Sequence, residues 1–211
     1  MKVLLFDAAN TLIHKPSLWV RIQEVLTKHQ YKIADKELKL KHKLISEIIN
    51  FPDRTSKDFY ADFNSELLLS LGIIPSEDLL DDLFSSCTYQ PWQAFDDCKF
   101  LSELNIRKAI VSNFNSSLFD LIGELIGKDV FDEIIISENE KERKPSLAFY
   151  EIAIEKLGVK PEDILYIGDS LKLDIIPAKK LGINTLLIDR DSVYQYPVEK
   201  ISSFEELKNY L

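Results

Sequence analysis

Val3, Leu4, Leu5 and Phe6 form an unbroken apolar run that Asp7 closes. A run of that length, apolar on every residue, predicts a strand buried on both faces. Asn10 and Thr11 then predict a turn, because asparagine accepts left-handed backbone better than other non-glycine residues. From Ser17 the spacing becomes helical. Trp19, Ile22, Val25 and Leu26 share one face, and Ser17 is placed to cap it. A second helix is predicted over 35–50 and ends before Pro52. A third runs over 56–71, with Phe59, Phe63, Leu67 and Leu71 in one stripe and Gly72 closing it. A fourth begins near Ser76, where acidic residues suit a helix N-terminus.

The pattern changes again after Gln90. A helix over 96–105 leads to a strand over 108–112, and strands and helices alternate from there. Strands are predicted over 133–137, 163–167 and 184–188, with helices over 116–126, 146–157 and 174–181 between them. The tail predicts a short edge strand and a helix starting near Ser203. Alternation with short connections implies parallel strands and right-handed crossovers. A lone strand at 3–6 cannot form a domain, so it must pair with the later strands. The expected organisation is therefore an α/β core, a Rossmann-like doubly wound parallel sheet, made of residues 1–15 and 90–211. An all-helical segment, 16–89, is inserted after the first strand.

Composition narrows the possibilities. The chain has 211 residues, 45% of them apolar, which is ordinary for a globular protein. Its net charge of −9 argues against a nucleic-acid partner, which needs a basic face. No apolar run approaches the roughly 18 residues needed to span a bilayer. The first apolar run is too short for a signal peptide and ends in Asp7. Cys87 and Cys98 lack CxxC spacing and read as reduced structural thiols, so the expected compartment is cytoplasmic. His14, His29 and His42 have no zinc-site spacing. His29 and His42 are expected on solvated, lysine-rich helix faces, and His14 near the mouth of the site. Nothing in the pattern specifies an oligomeric state.

Four chemically distinctive groups follow predicted strands: Asp7, Ser112 with Asn113, the loop at Lys144, and Asp169 with Asp174. Parallel strands of one sheet would bring these strand ends into one crevice. The segments VLLFDAANT, AIVSNFN, ERKPSLAFY and ILYIGDSLKLD stand in the order and context of four motifs. In these segments the chain resembles the haloacid dehalogenase-like hydrolase superfamily, over 2–11 and roughly 90–190. The resemblance implies a helical cap domain between the first and second motifs. It implies Asp7 as a nucleophile that forms an aspartyl-phosphate, and Mg²⁺ held by Asp7, Asp169, Asp174 through water, and the main-chain oxygen of Ala9. It implies that Ser112, Asn113 and Thr11 hold phosphate oxygens, and that Lys144 balances charge between Asp7 and the phosphate. The expected partner is a small phosphorylated metabolite, with no membrane and no nucleic acid.

The chain departs from the family pattern at two places, and the first bears on activity. Where the superfamily's phosphatases carry a second Asp, two residues after the nucleophile, this chain has Ala9. That Asp protonates the leaving oxygen and later activates water, and such general acid–base catalysis contributes roughly 10² to 10⁴ in rate. The family's Lys-Pro-Asp-Pro is here Lys144, Pro145, Ser146, Leu147. Phosphonate-cleaving members also carry Ala at the first position, with a cap lysine that forms an imine. The 2-haloacid dehalogenases need no Mg²⁺ and lack the carboxylate of GDSxxxD, which Asp169 retains. Phosphonate or carbon–halogen cleavage therefore stands as an alternative to phosphate hydrolysis. So does a degenerate member that binds phosphate or a protein without turnover.

Overall fold

The computed structural model describes residues 1–194 and 198–211. The expected first strand, β1 (Val3–Phe6), is buried on every residue. It lies inside a six-stranded parallel sheet with β4 (Arg107–Ser112), β5 (Glu133–Ile136), β6 (Ile164–Gly168), β7 (Asn184–Ile188) and β8 (Lys200–Ile201). The spatial order is β5-β4-β1-β6-β7-β8. Val3 lies opposite Arg107 on one side and Ile164 on the other, and Phe6 opposite Ile110 and Ile167. The chain steps from β1 outward to β4 and β5, then crosses back to β6 and runs outward the other way. That reversal beside β1 is the switch point where open α/β sheets form a crevice at the strand carboxyl ends. The result is the Rossmann-like α/β sheet that the alternation predicts.

The chain divides into two compact units. Met1–His14 and Gln93–Leu211 form one, and Lys15–Trp92 form the other. In the first unit, a short antiparallel ladder pairs β2 (Ile13–His14) with β3 (Gln93–Ala94), where the chain departs and returns. α5 (Lys99–Glu103), α6 (Leu118–Leu125), α7 (Ser137–Glu140), α8 (Leu147–Leu157) and α9 (Ile176–Lys180) join the strands. Phe149, Ala153 and Leu157 at helical spacing on α8 pack with Val3, Leu5 and Tyr166 of the sheet.

The second unit is entirely helical: α1 (Ser17–Lys28), α2 (Asp35–Ile48), α3 (Lys57–Ser70) and α4 (Glu77–Cys87). Ile22, Val25 and Leu26 of α1 meet Leu38, Phe63 and Leu67 in one core. Ser56 and Ser76 cap α3 and α4 by accepting from Phe59 and Leu79 N–H groups. Gly72 takes φ +75°, closing α3 as expected. Among the described residues, no helix is long and apolar enough to cross a membrane.

Several local expectations are corrected. Ser17 is the first helical residue of α1 rather than its cap, and its hydroxyl donates to Gln90 Oε1 at 2.6 Å. The helix expected over 96–105 is a 3₁₀ turn, Asp96–Cys98, followed by α5. Ser137 leaves the strand and opens α7, with its hydroxyl accepting from Phe114 N–H. The helix expected to begin at Asp174 is a π-helical turn, Leu171–Ile175, that passes into α9. The closing helix is a 3₁₀ segment, Phe204–Asn209, with a reciprocal Ser203–Glu206 cap. The two histidines expected in solvent are not free there. His29 Nε2 lies 2.7 Å from Asp82, and His42 packs edge-on to Trp19 and Phe63, each ring 5.0 Å away. Hydrophobic neighbours on α1 and α3 outweigh the lysines beside His42 in sequence.

Burial, and then the charge of Lys43, pull the His42 imidazole down to about 4 from the usual 6.5. The unfolded chain protonates this group first, so its contribution to stability is whole above about pH 6.5 and falls away towards pH 4. The loss amounts to at most about 3 kcal/mol. His42→Phe should shrink the drop in melting temperature between pH 7 and pH 4.5. Equal drops in wild type and variant would show that His42 charges as freely folded as unfolded.

Candidate active site

Every group singled out at a strand end lies at the carboxyl edge of the sheet. Asp7 follows β1, Ser112 ends β4, and Asp169 follows β6. Asp7 is 6% exposed. Its N–H is bound by Ile167 O at 2.9 Å, so the neighbouring strand sets where its side chain starts. The chain then turns tightly. The Ala8 carbonyl accepts from the N–H groups of Thr11, Leu12 and Ile13, and Asn10 sits at φ +61°. The asparagine thus takes the left-handed position its sequence context predicts.

Three side chains converge on the Asp7 carboxylate. Ser112 Oγ donates to Oδ1 at 3.1 Å, Lys144 Nζ donates to Oδ1 at 2.5 Å, and Thr11 Oγ1 approaches Oδ2 at 3.4 Å. Lys144 also donates to Asp174 Oδ1 at 2.7 Å. The lysine side chain is 2% exposed, and those of Asp7 and Asp174 are 8% and 1%. Burial works against the ammonium charge, but attraction from Asp174 and Asp7 outweighs it and holds the lysine above its usual range. Burial raises Asp7 above the ordinary carboxylate range, and Asp174 adds to this against the pull of Lys144.

Asn113 has a specific place here. Its Nδ2 donates to Lys144 O at 2.9 Å, and its Oδ1 accepts from Lys144 N–H at 2.8 Å. The side chain clamps the lysine's own backbone across 31 residues of sequence. Ser112 and Asn113 therefore divide the work, one reaching Asp7 and the other fixing the loop that carries Lys144.

Asp174 points inward from the π-helical turn. Its Oδ1 accepts from Lys144 and from Tyr166 OH at 2.8 Å, and its Oδ2 accepts from Ser170 N–H at 3.0 Å. This close seat needs Gly168, because a Cβ there would fall 2.4 Å from Asp174 Oδ2. Carboxylate oxygens of Asp7, Asp169 and Asp174 all lie within 4.8 Å of one another. An all-oxygen set of this kind suits a hard divalent cation such as Mg²⁺. Asp174 already satisfies three donors, so it fits contact through water better than direct ligation.

Sequence reasoning passed over several contributors. Tyr166 and Tyr150 are fully buried beside the cluster, and Tyr150 OH donates to Leu173 O. The signal was a tyrosine in the otherwise apolar stretch ILYIG, where a buried hydroxyl needs a partner. Arg190, two residues beyond β7, grips both oxygens of Asp97 at 2.7 and 3.0 Å and donates to Thr11 O at 3.0 Å. It thereby braces the turn that follows Asp7. His14, expected near the mouth of the site, stacks on Phe95 with ring centres 3.9 Å apart.

Acidic, hydroxyl and lysine groups thus gather at one edge of the sheet. The haloacid dehalogenase-like hydrolase family profile matches residues 1–182, and the chain belongs to that family. It is 28% identical over 121 residues to haloacid dehalogenase-like hydrolase domain-containing protein 3 of Danio rerio, a match covering 53% of this chain and 50% of that protein. It is 41% identical over 58 residues to the glyceraldehyde 3-phosphate phosphatase of Methanocaldococcus jannaschii, covering 28% of this chain and 25% of the other. The matches thus span half or less of these relatives' own length. The HAD-hydrolase YfnB of Bacillus subtilis, solved with magnesium bound, shares the fold with a TM-score of 0.67 at 21% identity, over 100% of this chain and 98% of that one.

Gly168→Ala should displace the Asp174 carboxylate and destabilise the protein by about 1–3 kcal/mol, the usual cost of overpacking. Urea denaturation would show a lower midpoint. An unchanged midpoint would mean that the turn after β6 can shift to admit a methyl group.

Proposed function

We propose that the protein is a Mg²⁺-dependent phosphatase of a small phosphorylated metabolite, acting through an aspartyl-phosphate on Asp7. The observation that carries this reading is the buried Asp7–Lys144 pair beside Ser112 and the other two carboxylates. Asp7, Asp169 and the Ala9 carbonyl would hold the cation, with Asp174 acting through water. Mg²⁺ there would offset the charge of an incoming phosphate.

The chain's own residues account for the rest. Asp7 attacks phosphorus through a carboxylate oxygen, and the bond to the leaving oxygen breaks with its electron pair. Lys144, held as an ammonium, neutralises charge between Asp7 and the phosphoryl oxygens. The Ser112 hydroxyl and the N–H groups of the Ser112–Asn113 turn receive those oxygens, and Thr11 steadies Asp7. The helical unit, Lys15–Trp92, takes the role of a cap that selects the substrate.

Ala9 supplies no proton to the leaving group and takes none from water. Leaving groups that depart as stable anions need no acid, so aryl and acyl phosphates are the favoured donors. Hydrolysis of the aspartyl-phosphate is then the slow step. The phosphatase relative matched by sequence and the magnesium-bound structure sharing the fold support this reading.

An aryl phosphate should give a burst followed by slow turnover, with a phosphoryl group on Asp7 visible by intact mass spectrometry after a rapid quench. Asp7→Asn should abolish both, and activity that survives chelation would remove the metal role. Ala9→Asp should speed breakdown by at most roughly 10² to 10⁴. No burst and no response to Ala9→Asp would mean either that another side chain transfers the proton or that Asp7 does not attack phosphorus, and unchanged activity in Asp7→Asn would leave only the second.

The two remaining carboxylates should separate by calorimetry. Asp169→Ala should abolish Mg²⁺ binding, whereas Asp174→Ala should only weaken it. Wild-type affinity in Asp169→Ala would refute the assignment.

A further inference from the structure

Lys144 has three N–H protons, and three oxygens stand around it. Asp7 Oδ1 lies at 2.5 Å, Asp174 Oδ1 at 2.7 Å and Tyr166 OH at 3.2 Å. The phenol completes the lysine's donor set. It has one proton of its own, and that goes to Asp174 Oδ1 at 2.8 Å. An ammonium cannot accept, so the direction of each bond is determined. Lys144 donates to the phenol oxygen, and the phenol donates to Asp174. One oxygen of Asp174 therefore receives two donors, the ammonium and the phenol.

Tyr166 is 0% exposed, and its ring packs in the core beneath the sheet with Val3, Leu5 and Phe149. Packing alone would be served by phenylalanine. The hydroxyl is the part the core does not explain, and both of its polar partners belong to the site.

We propose that Tyr166 is a positioning residue that divides the Lys144 ammonium between Asp7 and Asp174. This rests on the phosphatase reading of the site. With the phenol in place, Asp174 Oδ1 is satisfied in part by a neutral donor, which leaves the ammonium able to sit close against Asp7. Without it, Asp174 Oδ1 keeps only the ammonium, and Lys144 loses one of its three acceptors. The lysine is then drawn towards Asp174 and away from the carboxylate that must carry the phosphoryl group. Tyr166 touches neither phosphate nor metal in this scheme. It acts through the lysine.

Tyr166→Phe keeps the ring and deletes the oxygen, so the variant should fold with a melting temperature close to wild type. Its crystal structure should show a longer Lys144 Nζ–Asp7 Oδ1 distance. In ¹⁵N-lysine-labelled protein the buried ammonium resonance, assigned by its absence from Lys144→Met, should shift. With an aryl phosphate, the rate of the burst, which reports attack by Asp7, should fall about tenfold, the scale of one hydrogen bond to a charged group. The Mg²⁺ concentration for half-maximal burst rate should hold within about twofold, since the expected loss is of an interaction made in the transition state. A purely structural role would lower the melting temperature and leave the lysine resonance in place. An unchanged lysine position and resonance in folded Tyr166→Phe overturn the proposal, as does an unchanged burst rate. Absence of phosphatase activity in the wild type would instead overturn the reading of the site, and the structure and resonance would still decide where Tyr166 holds the lysine.

Discussion

A single buried cation holds the candidate site together. The Lys144 ammonium lies between the carboxylates of Asp7 and Asp174, all three almost sealed from water. Removing ions from water is costly, and only close pairing with further hydrogen bonds recovers that cost. The surrounding bonds meet this requirement: Ser112 on Asp7, Tyr166 and the Ser170 N–H on Asp174, and the phenol oxygen on the lysine. One positive charge against two negative ones leaves a net acidic centre beside Asp169. Such a centre is suited to receive a divalent cation.

The fold meets the geometric demand this places on distant segments. The end of β1 leads into Asp7, β4 contributes its final serine, β6 its final glycine followed by Asp169, the π-helical turn Asp174, and the loop before α8 the lysine. Each is held by backbone or by a dedicated clamp. Asn113 grips the Lys144 backbone, and Arg190 ties Asp97 to the Thr11 carbonyl and stacks on Phe95. Close packing leaves little freedom. Gly168 must lack a side chain because Asp174 occupies the space where one would stand. The chemistry rests on residues whose neighbours restrict them from several sides.

Ala9 stands where the proposed phosphatase reading would call for an acid–base Asp. A fold shared at 21% identity shows architecture rather than reaction, and function is decided at the site. The proposed nucleophile Asp7, the lysine and the acidic cluster are in place, while position 9 carries a methyl group. On the proposed phosphatase reading, that combination would separate the two halves of a phosphoryl-transfer cycle. Attack on an activated donor needs charge neutralisation, which Lys144 would supply. Release to water needs a base, which Ala9 would not supply.

Much of this was legible in the chain itself. The unbroken VLLF run, the alternating strands after Gln90 and the left-handed turn at Asn10 follow from hydrophobic pattern and backbone preference, which act over a few residues. So does the separation of an all-helical segment from the α/β alternation. The strand ends carrying Asp7, Ser112 and Asp169 could be expected on one edge, because parallel strands in one sheet end on the same side, while their adjacency comes from β4 and β6 flanking β1. What sequence could not supply depends on contacts between residues far apart. His42 looked solvated beside its lysines, yet Trp19 and Phe63 enclose its ring. Asp174 was expected to start a helix and to serve a metal through water, and it is the π-helical turn and the missing side chain at Gly168 that seat its carboxylate against Lys144, Tyr166 and Ser170. Tyr166 lies in a strand predicted from its apolar pattern alone, and only the fold sets its hydroxyl between Lys144 and Asp174. Local pattern determined the elements and the order of the chemical groups. The tertiary structure decided which groups share a hydrogen bond, because burial forces each polar atom to find its partner wherever the fold places one.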